Sequence, residues 1–280
     1  STQSRSSAAS DVYQRQVIFK VHFYKYFNEE INIYCKKIIR NSALLGLLIS
    51  ILAFLSVAGN LGGEIESIFE IDLIELSFET MQGKSYLLLI VGFSFLYFSY
   101  YFQNIFMNAF NIIGTVLILI SFIVIGHSLS QGIYTQILLL IHLFCISYWL
   151  GSFLPFKYMC NIKNYENLYL VAHNFGIYAT FYIGLLIITG LIFSYFLLGG
   201  ILPIITSTYG NVLICKLLLV SSVLMIGAIN KFRIVPNIKE NLSLGQSKLK
   251  RSINIEFMLT WFILFLTSIL TTSLPTPMGM

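Results

Sequence analysis

The chain has 280 residues, of which 57% are hydrophobic and only 10% are charged, and its formal net charge is +5. Soluble globular chains carry about 25% charged residues, so this chain has too little polar surface to face water on all sides. The composition excludes a soluble globular protein and predicts an all-α, polytopic transmembrane helix bundle. The basic residues are split among short loops, so the positive charge does not indicate a nucleic-acid partner; the predicted surroundings are membrane lipids.

The first 41 residues precede any clear membrane span. Residues 1–10 are Ser-rich and polar, which is typical of an expression remnant or a disordered tail. Residues 11–41 mix aromatic and apolar residues with His22 and several charges, too many for a spanning helix. They predict an amphipathic helix on the cytoplasmic side, or an atypical or partial first helix. Residues 42–280 are then expected to form the transmembrane bundle.

Seven later segments are long and apolar enough to cross a bilayer. The hydrocarbon core is about 30 Å thick, and a helix needs about 20 apolar residues to span it. Water is absent there, so a spanning segment must satisfy its own backbone hydrogen bonds, as a helix does. The predicted spans are 42–59, 85–102, 110–126, 135–156, 170–197, 211–229 and 253–272.

The charged residues predict the orientation of these spans. Six acidic residues and only Lys84 lie in loop 60–84, whereas Lys and Arg collect before the first span, after the fourth and before the last. Cytoplasmic loops carry the positive excess in membrane proteins. The basic loops are therefore expected on the cytoplasmic side and loop 60–84 on the outer side. That acidic loop either attracts cations by its field or is simply solvated.

No sequence motif indicates an enzyme. The chain lacks the GxxxxGK[ST], GxSxG and HExxH patterns, so neither an ATP-driven pump nor a hydrolase is expected. Its four Cys residues show no CxxC spacing, and a disulfide framework is not expected.

His142 is the most informative polar residue within a predicted span. Cys145 follows it by three residues and Trp149 by seven, so the three share one helix face. Imidazole and thiol groups together suit soft transition metals, Cu(I) among them. The alternative is a His hydrogen-bonded to a neighbouring helix beside a small buried Cys.

Four further polar residues lie within or at the ends of spans, where ionisable groups are costly and often functional. His127, at an outer helix end, is either a first metal ligand or a solvated His. Lys216 either snorkels to the outer interface or belongs to a pathway. Glu256 and His173 lie nearer the cytoplasmic side and are either pathway residues or polar groups satisfied at a helix end.

Three ordered motifs give the chain a family resemblance over about residues 110–275. The first comprises Gly126-His127-Ser128, Ile141-His142-Leu143 and Tyr148–Gly151 through Leu154-Pro155. The second comprises Tyr209–Leu213 with Lys216, Asn230–Arg233 and Pro236, and the third Arg251-Ser252, Glu256 and Thr271–Pro275. Together they resemble the CopD family of bacterial copper-resistance and copper-transport membrane proteins.

The resemblance implies copper transport across the bacterial inner membrane, from periplasm to cytoplasm, with loop 60–84 periplasmic. It implies copper as the bound metal, with His127, His142 and Cys145 as ligands, and Lys216 and Glu256 in the same pathway. A periplasmic copper donor of the CopC type is the implied partner. Two positions depart from the family pattern: Ser152 replaces a Gly, and His173 stands where an Arg is usual. Family members also have eight helices, so one N-terminal helix is missing or atypical here.

Two other functions stay open at this point. A b-type haem protein would use His residues on facing helices as axial ligands. A scaffold would bind copper and deliver it to another membrane protein without moving it across the bilayer.

Overall fold

A computed structural model describes residues 22–102, 104–125, 132–162, 165–200 and 202–272. Every regular element in these ranges is helical. The α-helices are α1 (Glu29–Gly62), α2 (Ile71–Glu79), α3 (Met81–Phe98), α4 (Asn104–Ile123), α5 (Ile133–Leu150), α6 (Phe153–Met159), α7 (Leu168–Leu198), α8 (Pro203–Thr206), α9 (Thr208–Ile229), α10 (Val235–Glu240) and α11 (Leu242–Thr272). Short 3₁₀ turns cover Tyr24–Tyr26, Glu66–Phe69 and Ser99–Tyr101, and a π-helical turn covers Asn230–Ile234.

Seven helices of the described chain are long and apolar enough to cross a membrane, which confirms the predicted polytopic bundle. Most extend beyond the predicted spans at one end or both. Their bounds are Glu29–Gly62, Met81–Tyr101, Ile105–Ile123, Ile133–Met159, Leu168–Leu198, Thr208–Glu240 and Leu242–Thr271. Because consecutive spans run in opposite directions, Met159, Leu168, Glu240 and Leu242 share one end of the bundle, here called the basic end.

The first span begins much earlier than its hydropathy suggests. The side chain of Asn28 accepts a hydrogen bond from Ile31 N–H at 2.9 Å and so caps α1, with Glu29 and Glu30 in the first turn. The helix then runs without a break through Lys36, Lys37 and Arg40. Residues 29–41 are thus the basic-end extension of the first span rather than a separate element.

Helices α1, α3 and α4 pack around one apolar cluster. At its centre α3 and α4 approach closely, because a Cβ on Gly92 would lie 2.7 Å from a side-chain carbon of Ile118. On the opposite helix, a Cβ on Gly114 would lie 2.7 Å from the carbonyl oxygen of Gly92. Small residues of this kind let helix backbones meet in a membrane, where packing rather than water drives association.

Helices α5 to α11 form the larger part of the bundle, and the N-terminal residues dock into it. Phe23 is fully buried in the cluster that also contains Tyr148 of α5 and Leu168 of α7. The backbone carbonyl of Tyr26 accepts hydrogen bonds from Tyr165 Oη at 2.6 Å and Asn167 Nδ2 at 3.1 Å. The residues that precede α1 are thus held against the start of α7.

A proline explains the π-helical turn that links α9 to α10. In a regular helix residue 236 would donate its N–H to the carbonyl of Phe232, but Pro236 has no N–H. Val235 N–H donates instead to the carbonyl of Asn230, five residues back. Such a π-bulge rotates the following residues around the helix axis, and these bulges are frequent at functional sites.

Candidate functional site

His142 lies half-buried on α5 and points to α7. Its Nδ1 is 3.3 Å from the hydroxyl oxygen of Thr189. The ring also fills space that a side chain on Gly190 would take, since a Cβ there would lie 3.0 Å from Cε1 of His142. The structure thus has the arrangement that the alternative interpretation of His142 expects, a His hydrogen-bonded to a neighbouring helix.

The hydrogen bonds around Thr189 assign the proton on His142. The Thr189 hydroxyl donates to the carbonyl of Leu185 at 2.8 Å, so its single proton is already used. Nδ1–H of His142 is then the donor in the contact with Thr189 Oγ1, and the ring also hydrogen-bonds the backbone of Leu186. A neutral imidazole with its proton on Nδ1 keeps a lone pair on Nε2. A metal ion binds a neutral imidazole through such a lone pair.

Cys145 lies one turn further along α5 and is almost fully buried. It is within electrostatic range of Tyr182 on α7. His142 and Cys145 thus both face the seam between α5 and α7, as their spacing of three residues predicts. A lone pair on imidazole nitrogen and a thiol sulfur are ligands that suit Cu(I).

Lys216, on α9, is half-buried and within electrostatic range of His142. Its ammonium group raises the local positive potential at the imidazole, which opposes a second cation there. The structure therefore brings together two of the residues that the sequence singles out on separate spans.

His173 faces outward rather than into the bundle. It is exposed on α7 and its ring stacks on Tyr169, with centroids 5.5 Å apart. His142 contacts Thr189, sixteen residues further along α7, which corresponds to about 24 Å at 1.5 Å per residue. The two His residues are too far apart to ligate one haem, and the haem alternative is unsupported.

His127, predicted as the outermost ligand, lies outside the described residues. Within the described ranges, no group of three or more His, Cys, Asp or Glu side chains is placed to hold a metal ion. Any copper held by His142 and Cys145 would have at most these two protein ligands from the described chain, an arrangement that favours transient binding.

Glu256 lies nearer the basic end and is 3% exposed. Its carboxylate accepts one hydrogen bond from the side-chain N–H₂ of Asn230, in the π-helical turn. It accepts another from Trp149, whose only polar hydrogen is the indole N–H. Three elements that are far apart in sequence, α5, the π-helical turn and α11, therefore meet at one carboxylate.

A cavity of about 260 Å³ lies beside this carboxylate. Its walls are mostly apolar, and its polar side chains include Trp149, Thr180, Asn230, Lys231 and Glu256. The ammonium of Lys231 donates to Thr180 Oγ1 at 2.6 Å and lies 5.4 Å from the centroid of the Phe232 ring. Lys231 thus ties the π-helical turn to α7 on one side of the cavity.

The sequence did not predict a role for four residues that the structure places at these sites. Asn230 and Lys231 stood in a motif without a role. No sequence pattern pointed to Thr189. His22, in the docked N-terminal segment, lies 3.2 Å from the hydroxyl of Tyr182, which is also the neighbour of Cys145.

Residues 170–270 match the family model CopD, described as copper resistance protein D. The matched stretch runs from α7 into α11 and includes Thr189, Lys216, Asn230 and Glu256. It does not include α5, which carries His142, Cys145 and Trp149. No curated protein and no solved structure matches the chain.

Proposed function

Because residues 170–270 match the copper resistance protein D family model, we propose that this membrane protein moves copper across the bilayer. The observation that carries this function is the tautomer of His142. The hydrogen bond that Thr189 gives to Leu185 favours a proton on Nδ1 of His142, and in that tautomer Nε2 would be the nitrogen that binds a metal.

The proposed path follows the seam between α5 and α7. Copper reaches His127 from the outer side, passes to His142 and Cys145, and leaves towards the basic end. Ligand sets this small keep each binding step weak enough for release, as conduction requires. His22 continues the line of soft ligands, because it contacts the same Tyr182 that neighbours Cys145.

Lys216 acts as a gate in this proposal. Its positive charge near His142 disfavours a resident cation and speeds release once copper has bound. The location we propose is the inner membrane of a bacterium, with the basic end in the cytoplasm and loop 60–84 in the periplasm. A periplasmic copper donor of the CopC type would then deliver copper to the outer loops, and transport would run inward.

The test is Cu(I) uptake into proteoliposomes that contain the purified protein, compared with empty liposomes. We expect uptake in the wild type and a loss of at least tenfold in His142→Ala. His173→Ala is the matched control, because His173 is exposed on α7 and points away from the seam. Equal uptake by the wild type and His142→Ala would overturn the role of His142.

A scaffold that binds copper for another membrane protein is the second candidate. It is favoured by the small number of ligands, since two side chains suffice to hand Cu(I) to a partner with more ligands. The same proteoliposomes separate the two functions. The protein should be inserted in the liposomes in both orientations. Copper that binds to the protein but does not enter the lumen would then favour the scaffold over the transporter.

A further inference from the structure

We propose that the cavity beside Glu256 binds a small hard cation of the sodium type, at the Glu256 carboxylate and the Asn230 side-chain oxygen. This site is separate from the copper ligands and can be tested without copper. It rests on four observations: the shape of the cavity, the balance of donors and acceptors in it, the backbone of the π-helical turn, and the chemistry of the ligands.

The cavity is large enough for a hydrated ion. Its volume of about 260 Å³ exceeds the roughly 30 Å³ that one water molecule occupies in the liquid several times over. Empty cavities in proteins are apolar, whereas this one is lined by a carboxylate, an amide and an ammonium group. The polar side of this cavity therefore has the groups that water or an ion would need as partners.

One acceptor on the polar side of the cavity has no donor among the described residues. Glu256 accepts from Trp149 and Asn230, and both of these donors are uncharged. The Asn230 side-chain oxygen is buried and has no hydrogen-bond partner in the described part of the chain. A buried polar oxygen without a partner is costly, and so is a buried carboxylate whose charge is met only by neutral groups. A cation beside both oxygens removes both costs.

The π-helical turn adds backbone oxygens next to Asn230. Val235 N–H donates to Asn230 rather than to Lys231, and Pro236 has no N–H for Phe232. The carbonyls of Lys231 and Phe232 therefore lack the donors that a regular helix would supply. Interrupted helices in membranes provide carbonyl oxygens of this kind as ligands for Na⁺.

Lys231 is the one other titratable side chain that lines the cavity among the described residues. On the elements packed against α11, Lys157, Arg233, Lys239 and Glu240 are exposed, and half-buried Lys216 lies fourteen residues before Asn230 on α9, near His142. The Lys231 ammonium is held at Thr180 on the α7 side, where it weakens cation binding by repulsion without closing the cavity. Removing its charge should tighten binding.

The ligands select a cation different from the proposed cargo. Carboxylate, amide and carbonyl oxygens are hard ligands, whereas Cu(I) prefers thiolate, thioether and imidazole. An oxygen-only site beside Glu256 therefore discriminates against Cu(I) and favours an alkali cation. This selectivity distinguishes the site beside Glu256 from the proposed copper ligands on α5.

Trp149 reports directly on this site, because its indole donates to Glu256 and the chain has only two Trp residues. Trp261 is 52% exposed on α11 and contributes background. The experiment uses the full chain carrying Trp261→Phe, in detergent with a copper chelator. Trp149 emission is followed while NaCl replaces N-methylglucamine chloride at fixed pH and ionic strength.

We expect a saturable change in Trp149 emission with Na⁺, at least tenfold weaker in apparent affinity in Asn230→Ala and absent in Glu256→Gln. Lys231→Gln should bind Na⁺ more tightly. Glu240→Gln is the matched control, since Glu240 is an exposed carboxylate at the same end, and it should titrate like the parent.

Folding of each variant is checked by its elution profile and thermal transition, so that a lost signal in a misfolded protein is not counted. A folded parent whose Trp149 emission shows no saturable response to Na⁺ would overturn the proposal. So would a response that Glu256→Gln retains in full, because the ion would then lie elsewhere. Neither result bears on copper uptake, which uses His142.

Discussion

The indole N–H of Trp149 donates to the carboxylate of Glu256, and this bond joins α5 to α11 across 107 positions of the sequence. It also joins the stretch that matches the copper resistance protein D family to a helix outside it. Trp149 follows His142 by two turns on α5. The helix that presents the proposed copper ligands is therefore anchored at its other end to Glu256.

Removing this bond should destabilise the protein. In Trp149→Phe the Glu256 carboxylate loses a donor while the aromatic packing is largely kept, so we expect a loss of about 1.5 to 3 kcal/mol, the range for hydrogen bonds to charged groups. The measurement is thermal unfolding in detergent. Trp261→Phe, at an exposed position of α11, is the control and should leave the transition unchanged within error. Equal transitions for both variants would contradict the assigned bond.

The hydroxyl oxygen of Thr189, which accepts the hydrogen bond from His142, should strengthen Cu(I) binding by the protein. Thr189→Val keeps the shape of the side chain but removes the oxygen that receives Nδ1–H, so the tautomer with a free Nε2 loses its support. Groups that orient a metal-binding His typically contribute 10- to 100-fold to metal affinity, and we expect Cu(I) binding to weaken by roughly that factor. Competition with a Cu(I) chelator measures it.

Thr267→Val is the control for this substitution. Thr267 donates to the carbonyl of Ile263 on α11 at 2.8 Å, as Thr189 does on α7. The two changes therefore remove the same kind of intrahelical bond, and only one of them touches His142. Unchanged Cu(I) affinity in Thr189→Val would remove the support for this tautomer as the binding form.

The contact between α3 and α4 should not tolerate a methyl group. Gly92→Ala would place a carbon 2.7 Å from Ile118 and 3.0 Å from the backbone oxygen of Gly114, so the helices must move apart. Overpacking of this kind costs about 1 to 3 kcal/mol. Gly184→Ala, where a Cβ meets nothing within 4 Å, should be neutral or slightly stabilising. The ratio of folded to aggregated protein on size-exclusion chromatography compares the two.

The thiol of Cys160 should react slowly with maleimide. It lies just beyond the α6 end of its span, where burial raises its pKa to about 12 and nearby Lys250 acts in the opposite direction. Because the thiolate is the reactive form, only on the order of one molecule in ten thousand is reactive at pH 8. Maleimide labelling of a variant with Cys160 as its sole Cys should be slow and rise about tenfold per pH unit below the pKa.

The comparison for Cys160 is a Cys at the next position. Asn161 is exposed, so Asn161→Cys in a background without other Cys residues should label at the rate of an ordinary thiol. Mass spectrometry of the intact protein follows both reactions. Similar rates for the two thiols would contradict the burial of Cys160, and full labelling after denaturation confirms that each thiol is intact.

The docked N-terminal segment should contribute to stability. Phe23 is fully buried against residues of α5 and α7, and Phe23→Ala would leave a cavity that costs about 3 to 5 kcal/mol. Phe27→Ala, at a less buried position of the same segment, should cost less. Thermal unfolding distinguishes them, and an unchanged transition in Phe23→Ala would show that the segment is not docked in solution.

Hydropathy alone predicted the seven spans, because each needs about 20 apolar residues whatever its partners are. It missed the start of α1 at Glu29, since Lys36, Lys37 and Arg40 lower the apolar average at the membrane edge without stopping the helix. An Asn cap and two acidic residues, rather than hydropathy, mark that start. The docking of Phe23 and Tyr26 was beyond prediction for another reason: it depends on α7 and the residues just before it, some 140 residues away.

The sequence singled out individual polar residues of the site, but it did not predict which of them contact each other across helices. Glu256 was singled out for being ionisable within an apolar span and Trp149 for sharing a helix face with His142, and nothing in their local sequence links them. Asn230 joins Glu256 through a contact between helices that no local pattern encodes. His142 and Cys145 lie on one face of α5, because residues three apart on a helix share a face, and their role as ligands stays a prediction.

The continuity of α9 with the π-helical turn and α10 makes Thr208–Glu240 a single 33-residue rod. Lys216, near His142, and Asn230, bonded to Glu256, are fourteen residues apart on this rod, close to four turns and about 21 Å. Because one helical element carries both side chains, a rotation of this element about its axis would move Lys216 relative to His142 and Asn230 relative to Glu256 together. A ligand that favours one orientation of the element at one end of the bundle would then change the arrangement at the other end.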